Sequence, residues 1–191
     1  GQSNHAGTTP MALRRDAGQV ATRIALAADR IAAELGPPQV ATVGVFELSP
    51  GLINVVPEQA RLTVDLRNTD GAALDAATAR LLAEARAAAE AAGCTVEHRA
   101  LARFAPVVFD EALVGKVAQA AAARQLSVKR MPSGAGHDAQ MFAPDCPTAM
   151  IFIPSEKGLS HNVKEHSDKR DIVAGAQVLL DLVCDLAGAK T

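Results

Sequence analysis

Between residues 60 and 67 apolar and polar side chains alternate without a break: Ala60, Leu62, Val64 and Leu66 against Arg61, Thr63, Asp65 and Arg67. Successive side chains of a strand point to opposite faces, so this run predicts a strand with one dry face and one wet face. Such a strand folds only if something apolar covers the dry face. The stretch MALRRDAGQVATRIALAADRIAAEL supplies it, with Val20, Ile24, Ala27, Ala28 and Ile31 spaced to line one side of a helix. Thr8 or Thr9 is its expected N-cap, with Pro10 near the first turn and Gly36-Pro37-Pro38 as its end. QVATVGVFELS reads as a strand, Pro50-Gly51 as a turn, and DGAALDAATARLLAEARAAAEAAG as a second helix capped by Asp70 and stopped at Gly93. CTVEHRALARF is expected to be a further strand. With a short strand at the very start, the order is βαββαβ. That predicts an α+β unit, a four-stranded antiparallel sheet covered on one face by two helices, ending near Phe104.

The region after the linker APVVFD has another character. DEALVGKVAQAAAARQL is a helix and SGAGHDAQMF enters a short one. TAMIFIPS is almost wholly apolar, as a strand buried on both faces of a parallel sheet would be. A loop, EKGLSHNVKEHSD, and a final helix follow. These are pieces of an α/β layered domain, too few to close one, so its other strands are expected before Gly1. The chain thus reads as cut at its N-terminus and intact at its C-terminus.

Bulk properties exclude several classes. A net charge of -2 gives no electrostatic argument for nucleic acid or an anionic membrane, and the lack of Trp and Tyr argues against a base-stacking surface. No apolar run reaches a membrane span, and the first residues do not read as a signal peptide. Three widely spaced cysteines, Cys94, Cys146 and Cys184, point to reduced thiols and a cytoplasmic protein.

Of five histidines, His98 lies in the alternating strand as an exposed structural residue, and His166 reads as solvated. His137 opens a helix after the small residues Ser133 to Gly136, which would let a backbone approach a ligand closely. A glycine-rich helix start with a polar first residue explains it equally. His161 follows the apolar strand, where ligands of open α/β sheets bind, so it is either a metal ligand or base or a plain loop histidine. Glu165, four residues on, would support it. Asn54 is a turn residue or more, and Arg67 is either a solvated side chain or a fork for a carboxylate.

In this order and spacing, NHAGTTPM..RRDA, INVVP…DLRN, SGAGHDAQMF and GLSHNVKEHSD resemble the carbamoylase and allantoate amidohydrolase group. These are binuclear metal amidohydrolases related to aminoacylases, and the resemblance covers essentially all of the chain. It implies that residues 1–104 are a lid and dimerisation domain and that 105–191 are the C-terminal part of a catalytic α/β domain. It implies that His161 is a metal ligand. It casts His5 and Asn54 as catalytic residues that polarise the scissile carbonyl or hold its oxyanion, reaching the partner's site in a homodimer. Arg67 would grip the substrate carboxylate, and Gly136 and His137 would belong to the substrate loop. The implied cofactor is a pair of divalent ions, zinc first, with manganese, cobalt or nickel as alternatives. The implied substrate is a small ureido compound with a carboxylate. The other metal ligands and the glutamate base of the group have no counterpart here, so the chain by itself is expected to be inactive. The alternative is a dimerisation module without catalysis.

Overall fold

The computed structural model describes residues 1–188, which fall into two compact units, residues 1–106 and residues 107 onward. The first unit runs β1 (Asn4–His5), α1 (Ala17–Leu35), β2 (Val40–Ser49), β3 (Val55–Val56), β4 (Gln59–Arg67) and α2 (Gly71–Ala91). β2 and β4 pair antiparallel, with Val40 opposite Arg67, Ala41 opposite Leu66 and Ser49 opposite Gln59, and a bulge lies between Val43 and Val45. Ala41, Leu62, Val64 and Leu66 pack on a core built from Val20, Ile24, Ala27, Ala28 and Ile31 of α1 and Ala77, Leu81, Ala85 and Ala89 of α2. The alternation of β4 therefore turns its apolar set onto the two helices. Gly36 ends α1 with φ of +67°, a conformation that costs glycine little. Across α1 and α2, Arg30, Glu34, Arg80 and Glu84 close a ring in which each charge touches two of opposite sign.

Two expectations for this unit change. α1 begins after Asp16, whose carboxylate accepts from the Gln19 N–H at 3.1 Å. Thr8 and Thr9 lie before it, and Met11–Leu13 is a separate 3₁₀ turn. The chain is extended at Arg14 (φ −79°, ψ 137°), which breaks the helix between the two. The expected four-stranded sheet is also not formed. The described residues hold two two-stranded sheets, β1 with β3 and β2 with β4. Residues 94–104 make no ladder, because alternation marks a strand's faces but supplies no backbone partner. A side chain holds that segment instead, as Arg103 pairs with Asp75 of α2 at 2.7 Å.

The second unit contains α3 (Glu111–Ala123), α4 (Asp138–Phe142) and α5 (Lys169–Leu186). Asp110 and Asp168 cap α3 and α5 through their carboxylates. α3 and α5 pack together around Ala121, Val178 and Leu182, and Lys116–Asp185 and Arg124–Asp181 ion pairs join them. TAMIFIPS does not form the expected buried strand. Phe152 is 53% exposed and the described residues include no strand beside it. A strand needs at least one neighbouring backbone, and here the segment instead lies against α5, where a Cβ on Gly175 would come within 2.6 Å of Ile153 Cγ2. Among the described residues no helix is long and apolar enough to cross a membrane.

Candidate functional site

The β1–β3 ladder contains one of the expected functional residues, His5, and ends next to another, Asn54. β1 pairs with β3 so that Asn4 faces Val56 and His5 faces Val55. The next backbone bond runs from the Ala6 N–H to the Asn54 carbonyl at 2.9 Å, which sets Asn54 beside His5 although 49 positions separate them. Both residues are exposed. The His5 Nδ1 accepts from the N–H of Gly7 at 2.9 Å and of Thr8 at 3.3 Å. A neutral imidazole whose Nδ1 accepts must carry its proton on Nε2. His5 therefore presents a single N–H donor away from its own loop, which is what a developing oxyanion requires.

Arg67 stands at the opposite end of β4. Gln59 and Arg67 are eight strand steps of about 3.3 Å apart, roughly 26 Å of extended chain. Its guanidinium forks onto Asp65 of the same strand face, with Nε 3.1 Å from both carboxylate oxygens and Nη2 2.6 Å from Oδ2. That hydrogen bond holds the Asp65 carboxyl below its ordinary value of 3.8 and raises Arg67 further. Asp65 thus orients the fork, a contact that residue reading missed. Its position two before Arg67 was the available signal, since i and i+2 share a strand face.

The same direction holds for Glu34, lowered by its hydrogen bond from Arg80, for Asp168, lowered by the backbone of Arg170, and for Asp181, lowered by Arg124. A depressed folded-state value means stability that is present above the ordinary value and is lost as pH falls through the folded one. The thermal midpoint followed by circular dichroism is therefore expected to hold from about pH 6 down to about pH 5 and to fall toward about pH 3. High salt should flatten the profile, because these pairs are exposed.

In the second unit His137 is the N-cap of α4, its Nδ1 accepting from the Ala139 N–H at 3.0 Å. Nothing lies within 4 Å of a Cβ built on Gly136, so space is open there. His161 sits in an exposed loop with φ of +54°, a left-handed conformation uncommon outside glycine. Glu165 holds that turn, because its Oε2 accepts from the His161 backbone N–H at 2.9 Å. Glu165 therefore supports His161 through the main chain. Among the described residues there is no group of three or more His, Cys, Asp or Glu arranged to hold a metal ion, and the three cysteines are free thiols.

The model of the peptidase family M20/M25/M40 matches residues 7–185. The chain belongs to this family. Within it, the chain is 39% identical over 190 residues to the allantoate amidohydrolase of Escherichia coli K12, covering 100% of this chain and 46% of that protein. It is 41% identical over 189 residues to the N-carbamoyl-L-amino-acid amidohydrolase of Rhizobium meliloti, covering 98% of this chain and 45% of the relative. A hydantoinase/carbamoylase family amidase from Burkholderia vietnamiensis superposes with a TM-score of 0.93 at 38% identity, over 97% of this chain and 45% of that one. The resemblance to the carbamoylase and allantoate amidohydrolase group is thereby confirmed. The chain spans about half the length of these M20 relatives.

Proposed function

We propose that the chain is part of a divalent-metal amidohydrolase that opens the carbamoyl C–N bond of N-carbamoyl amino acids or allantoate, and that it is inactive by itself. The reading is supported by the family match and by the β1–β3 ladder, which brings the backbones of His5 and Asn54 close while the His5 Nδ1 accepts from its own loop. In amide hydrolysis the carbonyl oxygen gains charge as the tetrahedral intermediate forms, and a preorganised N–H stabilises it. Arg67, oriented by Asp65 through its Nε and Nη2, is the proposed partner for the substrate carboxylate. The reading includes a homodimer in which His5 and Asn54 act on the partner's site.

A binuclear metal site does not fit the described residues alone, since no acidic or histidine cluster exists among them. His161 is the one ligand assigned here, with Gly136 and His137 lining the substrate loop. Residues 1–104 are read as lid and dimerisation domain and 105–191 as part of the catalytic domain, in a cytoplasmic enzyme.

The test is a chimera in which this chain replaces its matched residues in the Escherichia coli relative. The chimera is expected to turn over allantoate or an N-carbamoyl amino acid. The chain alone, supplied with zinc, manganese or cobalt, is expected to turn over neither. Turnover by the chain alone, or a folded, metal-loaded chimera inert on every ureido substrate, overturns the reading. A dimer that forms with or without metal beside such an inert chimera would instead identify a dimerisation module.

A further inference from the structure

Three residues around His5 have no assigned role, and all three act on its loop. Arg14 sends its guanidinium back over residues 6–9, with Nε donating to the Thr9 carbonyl at 3.0 Å and Nη2 to the Ala6 carbonyl at 2.5 Å. Thr9 is a buried polar residue, at 8% exposure. Its hydroxyl donates to the His5 carbonyl at 2.6 Å and its N–H to the same oxygen at 3.2 Å. Gly7 lies under the ring, where a Cβ would stand 3.2 Å from His5 Cε1 and 3.5 Å from Nδ1. The loop is therefore closed at both ends, and a Cβ at residue 7 would press on the imidazole, which would have to give by a few tenths of an ångström.

We propose that Arg14, Thr9 and Gly7 are positioning residues that hold the His5 loop so that the ring stays in its Nε2–H tautomer. The argument is one of geometry. The Gly7 and Thr8 N–H groups point at Nδ1 only while the 5–9 turn is closed. Arg14 closes it from the α1 side by binding two of its carbonyls, Thr9 closes it from within, and Gly7 admits the ring. With the turn open, both ring nitrogens meet water and the proton distributes between them, so the outward donor is no longer fixed. The consequence for the reaction rests on the proposed role of His5. The tautomer lock itself does not.

The experiment uses the chain as it is, labelled with ¹⁵N-histidine, with ring nitrogens read by two-bond ¹H–¹⁵N spectra at neutral pH. His5 is assigned by the signal that His5→Gln removes, and exposed His98 serves as the reference. His5 is expected to favour Nε2–H over Nδ1–H roughly tenfold more than His98 does, as two backbone hydrogen bonds specific to one tautomer would require. Arg14→Ala, Thr9→Val and Gly7→Ala are each expected to bring His5 to the ratio of His98, with helical circular dichroism unchanged. If Arg14→Ala fails to fold, the other two variants decide. A His5 ratio equal to that of His98 in the parent chain, or a lock that survives in the folded variants, overturns the proposal. A locked ring together with full turnover by a His5→Ala chimera would overturn the catalytic reading and leave the positioning intact. An averaged ring with turnover abolished by His5→Ala would do the reverse.

Discussion

His5→Ala in the active chimera is expected to lower kcat by about 10²–10³-fold with KM little changed. The magnitude is that of deleting one preorganised donor from an oxyanion site in other hydrolases. The split between kcat and KM follows from what the donor does. The ground-state carbonyl carries little charge, so a single N–H adds little to substrate binding, whereas the tetrahedral oxyanion depends on it. His5→Gln should recover part of the loss, because an amide NH₂ can donate but is not fixed by an Nδ1 bond to Gly7 and Thr8. Initial-rate kinetics over a range of substrate concentrations read both parameters. An unchanged kcat would remove His5 from the chemistry.

Ile31→Ala is expected to destabilise the first unit by about 3–4 kcal/mol, a large part of the roughly 5–15 kcal/mol that a domain has. Ile31 is fully buried, at 0% exposure, in the layer between α1, α2 and the β2–β4 ribbon. Across from α1 the buried face of α2 is mostly alanine, at Ala77, Ala85 and Ala89. Alanine has no side chain to swing into the space left, so the cavity should persist and the cost should lie toward the upper end for such a change. Urea unfolding should show a lower midpoint with the slope unchanged. Leu26→Ala on the same helix is the control: Leu26 is 64% exposed, and a change within about 0.5 kcal/mol is expected there.

The parts of the fold that were legible in the residues are those whose information is local. Val20, Ile24, Ala27, Ala28 and Ile31 were picked by helical spacing alone, and all five are buried. Asp70 caps α2 and Gly36 ends α1 as their residue types predict. The parts that failed are those needing a partner elsewhere in the chain. Residues 94–104 and the TAMIFIPS segment carry strand-like patterns, yet a strand exists only when another backbone meets its N–H and C=O groups. Thr8 and Thr9 look like caps, yet α1 starts seven to eight residues later, about two turns on. The decisive residue, Asp16, looks the same by type but sits where the helical spacing starts. At the candidate site the residue types were readable and their wiring was not. That Arg67 rests on Asp65, and Glu165 on the His161 main chain, required coordinates.

The β1–β3 ladder has a consequence for heat and denaturant. It is two residue pairs long, exposed on the His5 side, and contributes only Val56 to the buried set of the unit. The helices and the β2–β4 ribbon hold the bulk of the apolar interior without it. The Ala6–Asn54 bond and the Arg14 and Thr9 bonds on the 5–9 turn tie the segment further, but they too lie outside that apolar cluster, and such segments open by sub-global fluctuation at a free energy below that of complete unfolding. The alignment of His5 with Asn54 is thus governed by a local equilibrium that core packing does little to set. A protein in this state can keep its helices and its compactness and still have lost the proposed His5–Asn54 alignment. Half-life at elevated temperature would then follow the fraying of four residues rather than the melting of the molecule.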